Sequence, residues 1–324
     1  GGDLIVSLRE AYDARLVAYL PPDYQPRPLG TYDPGLRQIG SRHRLALLLP
    51  AAVANQPVYI RIDDARRQPI GVQAHRLIDY VAQDTARVRF TSAMLAALVL
   101  LAAVGAIYAF ALRRHILLLY CLWIVSIMVY TAVLSGESTW MSGSWLPGLS
   151  PMQLSTMAIN IGVLAAYAFV HGFLDLRPSF PRLSRLYRGL LWALVALTVV
   201  VLAIGESPRL ASIQNLLVLA LAPLALGMAL HLALRGAAQA WFFLLGWGPV
   251  VLIGSLRAWH FLQAQGTPAW LEYAHPAANM FGALVLVLAT ARAARYAERE
   301  MHSARASART DPLKIGRASC RERV

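Results

Sequence analysis

The sequence predicts a mainly α membrane protein: a bundle of seven transmembrane helices, preceded by part of a β-sandwich and followed by a cytoplasmic connecting helix. Three observations carry this prediction. Hydrophobic residues make up 57% of the chain, in blocks too long for buried strands. Seven of these blocks approach the roughly 20 residues that a helix needs to cross a bilayer core. Arginine gathers in every second loop between them.

Residues 1–86 are the polar exception. "DLIVSL", "ARLVAYLPP", "RLALLLP" and "PVYIRIDD" read as short strands, separated by turn-rich pieces such as "PPDYQPRPLGTYDPG". In "VYIRI", Val58, Ile60 and Ile62 alternate with Tyr59 and Arg61, the period of two of a half-buried strand. "GGD" at Gly1 to Asp3 lacks a following Glu-Phe and leads directly into a strand, so it is no catalytic loop.

The membrane domain is expected over residues 87–295, with spans at 90–112, 115–135, 154–174, 187–205, 212–234, 238–262 and 275–295. Backbone polar groups in lipid must be satisfied within the segment, and none of these runs alternates as a barrel strand does, so they are helices. Arg113 and Arg114 follow the first span, Arg177, Arg182, Arg185 and Arg188 the third, and Arg235 the fifth; these loops face the cytoplasm. The loop after the second span carries Trp140 and Trp145 but no Lys or Arg, and that after the fourth only Arg209; these face outward. The N-terminal domain is therefore outside. The C-terminus, with Arg292, Arg295, Arg299, Arg305 and Arg309, is inside.

A formal charge of +13 suggests nucleic acid at first sight, but its position along the chain makes it topology instead, and no nucleic-acid partner is expected. Cys121 stands alone in an apolar run, and Cys320 belongs to the chain's last residues, so no disulfide or CxxC site is expected.

Past the seventh span, "ARAARYAEREMHSARASAR" lacks Gly and Pro, which predicts that the helix continues through residues 296–310. Val287, Thr290, Ala294, Ala297, Met301, Ala304 and Ala308 recur at spacings of three and four, a seam of mostly small residues; the alternative is a solvated, frayed helix end. Residues 314–324, "KIGRASCRERV", hold the only lysine of the chain and back-translate into something similar to a short-read sequencing adapter. They are expected to be non-native and are left out of the fold. The chain, which begins without Met, is expected to be a fragment at both ends.

Ionisable residues within spans are costly and count as functional candidates. Arg257 and His260 share a helix face near the outer end of the sixth span, close in sequence to Glu272 and His275. Together they are the expected outward-facing ligand-binding or proton-sensing cluster, the alternative being snorkelling to the headgroups with ordinary helix pairing. His171 and Asp175, four apart, suit a helix-end hydrogen bond, and Asn160, Gln214 and Asn215 suit interhelical glue.

"QPVYIRIDDARRQPIGVQAHRLIDY" leading into the first span, and "RRHILLLYCLWIVSIMVYTAVLSGE" through the second, resemble the bacterial seven-transmembrane receptors with diverse intracellular signalling modules (7TMR-DISM). The resemblance implies a periplasmic jelly-roll at residues 1–86, here shortened, that binds an unidentified small molecule, carbohydrates among the candidates. It also implies a multi-pass protein of the bacterial inner membrane that pairs as a homodimer through its connecting helix. "SARTDPL" looks like the approach to a GGDEF domain, with Asp311, Pro312 and Leu313 matching its opening residues. The parent protein is then expected to be a diguanylate cyclase, with Mg2+ and GTP held by the domain after Leu313. No catalytic residue, cofactor or metal site is expected within the chain. A histidine kinase output is the alternative of the same class. A transporter is the alternative of another, suggested by Pro223 and Pro249 as helix breaks but without the mirrored half that such folds show.

Overall fold

The computed structural model describes residues 3–9, 15–29, 45–51, 56–63, 71–113, 115–135, 151–174, 176–204, 207–263 and 268–310. Arg114, Asp175, the loop with Trp140 and Trp145, Asp311 to Leu313 and the segment 314–324 lie outside them. So do the side chains of the heptad seam from Ala294 to Ala308.

The N-terminal region contains six strands: β1 (Leu4–Arg9), β2 (Arg15–Tyr19), β3 (Pro26–Leu29), β4 (Leu45–Leu49), β5 (Tyr59–Asp63) and β6 (Gly71–Arg76). They form two antiparallel sheets of order β4-β1-β6 and β3-β2-β5. Leu8, Leu45, Leu47 and Leu49 of the first sheet share one apolar core with Leu16, Ala18 and Leu29 of the second. Four strands, β1, β2, β4 and β5, are where the sequence predicts them. β3 falls inside the stretch read as turns, and β6 inside "QPVYIRIDDARRQPIGVQAHRLIDY", where only the "VYIRI" strand is expected.

β6 runs straight into the first helix, α1 (Leu77–Ala111), which begins thirteen residues before the expected span and inside the stretch 1–86 assigned to the outer domain. The first turn explains this. Leu77 and Tyr80 pack on Ile5 and Ala46, covering the face of the first sheet turned away from its partner, and the Leu77 amide donates to the Asp3 carbonyl at 3.1 Å. The helix thus begins against the sheet, before it reaches the apolar stretch.

The remaining helices are α2 (Ile116–Leu134), α3 (Pro151–Phe173), the single turn α4 (Leu176–Ser179), α5 (Pro181–Ile204), α6 (Pro208–Leu234), α7 (Ala238–Leu262) and α8 (Ala269–Thr310). Seven of them, all but α4, are long and apolar enough to cross a membrane. Neighbours follow chain order around a closed ring: α1 beside α2, α2 beside α3, α3 beside α5, and so on to α8, which returns to α1. Because the spans alternate in direction, the β-sheets, the end of α7 and the start of α8 share one end of the bundle. Arg113, Arg177, Arg182, Arg185, Arg188 and Arg235 gather at the other.

Pro223 and Pro249 do not break their helices as the sequence suggested, since α6 and α7 continue through both. α6 instead starts on a local signal, Pro208 in its first turn and a Ser207 hydroxyl that accepts from the Leu210 amide at 3.3 Å. α8 is one helix of 42 residues, running without interruption from within the bundle to Thr310.

The interior is rich in aromatic and small residues. Trp123, Tyr120, Phe169, Tyr167, Tyr187, Phe243 and Trp247 are buried among Ala165, Ala225, Ala229 and Ala283. Helices in lipid gain little from hydrophobic burial against one another and depend on close packing, for which small residues clear the space.

Candidate functional site

At the β-sheet end of the bundle, α2, α7 and α8 bring a cation, two rings and an amide together. The Arg257 guanidinium of α7 lies 5.8 Å from the centroid of the Tyr130 ring on α2. His275 of α8 meets the same ring edge-on, with centroids 6.0 Å apart. A cation over a ring face is attracted by the ring quadrupole, more strongly where water is excluded, and here His275 is buried. Asn279, one turn further along α8 and also buried, donates its side-chain nitrogen to the His275 carbonyl at 2.8 Å and lies 3.5 Å from His275 Nε2. Beside this cluster, Tyr273 of α8 packs edge-on against Phe90 of α1 at 5.2 Å.

Arg257 and His275, both singled out in the sequence, meet around Tyr130. His260 is half-buried one turn beyond Arg257, and its Nδ1 has no hydrogen-bonding partner among the described residues. Glu272 is half-buried, three residues before His275. Tyr130 and Asn279 were not foreseen, although Asn279 carries a sequence signal: it is a polar residue four positions from His275 in an apolar span, the spacing of one helix face.

The other polar candidates divide. His171 reaches Ser184 of α5, with Nε2 2.8 Å from the hydroxyl oxygen, so it bridges two helices. Asn215 donates to the Ala211 carbonyl of its own helix at 3.0 Å, so this bond is not interhelical glue. Asn160 is fully buried, yet neither atom of its amide has a protein partner among the described residues. No group of three or more metal-ligating side chains is present among the described residues.

A closed ring of seven spans, a β region at one end, a continuous helix projecting from the other and a polar cluster at the β end define a multi-pass membrane protein with the layout of a receptor. The family described as 7TM diverse intracellular signalling matches residues 88–293, and the chain belongs to that family. No curated protein and no solved structure matches it.

Proposed function

We propose that this transmembrane signalling receptor is the sensor portion of a diguanylate cyclase in the bacterial inner membrane. It takes a periplasmic or membrane-borne signal and passes it to the synthesis of cyclic di-GMP in the cytoplasm. The observation that carries the reading is α8: one helix leaves the bundle interior, where Ala283 and Leu286 are buried, and reaches Thr310 directly before Asp311, Pro312 and Leu313. A helix that is rigid along its length and packed at one end transmits rotation or translation to whatever follows.

In this reading the N-terminal region binds a small molecule, a carbohydrate being the class that the family suggests, and Arg257, His260, Glu272 and His275 form a second candidate site where bundle and β region meet. Ligand shifts the population between two arrangements of the bundle. Two cyclase domains, loaded with Mg2+ and GTP, meet through pairing of the connecting helices in a homodimer.

Two experiments test it. A GGDEF domain grafted after Leu313 is expected to give a cyclase whose output rises and falls as one to four residues are inserted at Ser303, because each added residue turns the helix by about 100°. Output indifferent to all four insertions sinks the transmission idea. The ungrafted chain is expected to make no cyclic di-GMP.

Orientation is tested separately. Alkaline phosphatase fused after Ser150 is expected to be active, and fused after Ser184 inactive, placing the N-terminus in the periplasm and the C-terminus in the cytoplasm. The reverse pattern overturns the arginine argument.

A further inference from the structure

Four polar atoms in the middle of the bundle have no protein partner among the described residues: both amide atoms of Asn160 on α3, Trp247 Nε1 on α7 and Asn279 Oδ1 on α8. Their side chains are all at least nine-tenths buried, at 0%, 3% and 1% exposure.

Contacts between the helices put the three within about two turns of one another. Tyr120 of α2 donates to the Ala283 carbonyl of α8, and Tyr130 meets His275, so the stretch of α2 around Ser126 lies level with Asn279. A β-carbon on Gly162 of α3 would sit 3.1 Å from Ser126 Cβ and 3.9 Å from Trp123 Cδ1, which sets Asn160 at that height as well. The Trp247 ring is 5.2 Å from the Trp123 ring. Asn160 is seven residues before Tyr167 and so on the same helix face, and the Tyr167 ring lies 6.1 Å from that of Trp247. All three residues therefore point into the ring of helices within about two turns of each other, near the centres of their spans.

A bilayer interior supplies no water to satisfy such groups, so each open donor or acceptor calls for a guest. The set is balanced, with donors on Asn160 and Trp247 and acceptors on Asn160 and Asn279, and none of these groups carries a charge. We propose that the bundle encloses a binding site, defined by Asn160, Trp247 and Asn279, for a neutral guest that both donates and accepts hydrogen bonds: bound water, or a small hydroxyl- or amide-bearing molecule in its place. Asn279 also connects the guest to the cluster at the β-sheet end, since its nitrogen is engaged with the His275 carbonyl while its oxygen is left for the guest. Filling, emptying or exchanging the site alters what holds α3, α7 and α8 at one point. The proposal does not depend on which output domain follows α8.

The test is hydroxyl-radical footprinting of the full chain in lipid nanodiscs, combined with native mass spectrometry. Radicals arise from water next to the labelled side chain. Trp192 supplies the reference, being a tryptophan near the middle of α5 that is 72% exposed in the bare chain and faces lipid in the disc. If water is the guest, Trp247 is oxidised several-fold faster than Trp192 despite its burial, and Asn160→Leu removes the difference. If a small molecule is resident, native spectra carry a neutral adduct that Asn160→Leu releases. Asn279→Leu repeats both comparisons should the first variant fold poorly. The proposal is overturned if wild-type Trp247 is labelled no faster than Trp192 and no adduct is present. Fast labelling or an adduct that survives both substitutions overturns it too.

Discussion

Gly282→Ala is expected to lower the stability of the bundle by roughly 3 kcal/mol, the upper end of the range for overpacking, and Gly282→Val to prevent assembly. α7 and α8 touch backbone to backbone at this point. A β-carbon on Gly282 would lie 2.6 Å from the Gly246 carbonyl oxygen and 3.0 Å from Val250 Cγ2. A valine methyl can yield, but a carbonyl bonded into its own helix cannot, so the helices must separate. The reciprocal change is milder, since a β-carbon on Gly246 would be 3.2 Å from the Gly282 oxygen, and Gly246→Ala is expected to cost about 1 kcal/mol. Gly248 and Gly254, on the same helix as Gly246, have nothing within 4 Å of a built β-carbon. Their alanine variants are expected to be neutral or slightly stabilised through helix propensity. Thermal unfolding in detergent, followed by tryptophan fluorescence, ranks the four. A Gly282→Ala midpoint equal to that of Gly248→Ala would contradict the close approach of α7 and α8.

Tyr120→Ala is expected to be more damaging than Gly282→Ala, costing roughly 4 kcal/mol in all, the usual loss for a large aromatic removed from a core. Tyr120 is 2% exposed and ties four helices together. Its ring fills the space that a β-carbon on Gly105 of α1 would enter at 2.8 Å, and packs within 6.2 Å of Phe169 of α3. Its hydroxyl donates to the Ala283 carbonyl of α8 at 2.9 Å. Tyr120→Phe separates the two contributions. It keeps the ring and deletes only the hydroxyl, and because the carbonyl it leaves lies within a helix, the expected loss is about 1 kcal/mol. Equal losses for the two substitutions would show that the hydrogen bond, and not the packing, secures this junction.

Much of the architecture is legible before any coordinates. Long apolar runs announce the spans, since only a helix can carry its backbone through lipid, and the alternation in "VYIRI" announces β5. The misses have physical causes. β3 contains Pro26 and Pro28, residues that a sequence reading sends to turns, and it is stable as an edge strand because β2 pairs with it on one side only. β6 is largely exposed, so "GVQAHR" shows no apolar face to detect. The first four turns of α1 carry Asp79, Gln83, Asp84, Arg87 and Arg89, which conceal a helix that stands clear of the apolar stretch.

For the site, the chain's own order was enough to nominate Arg257 and His275, because an ionisable residue in an apolar span stands out wherever it occurs. Tyr130 and Trp247 do not stand out, being ordinary aromatic residues of membrane helices. Only the ring order of the helices brings Tyr130 between Arg257 and His275, and only packing turns the amide of Asn160, the amide oxygen of Asn279 and the indole nitrogen of Trp247 toward a common interior without partners for them among the described residues. Transfer free energy, which decides what enters lipid, is a sum over local composition and is readable along the chain. Which helix faces meet depends on shape complementarity among residues far apart in sequence, at contacts as close as that of Gly246 with Gly282, and this the tertiary structure alone decides.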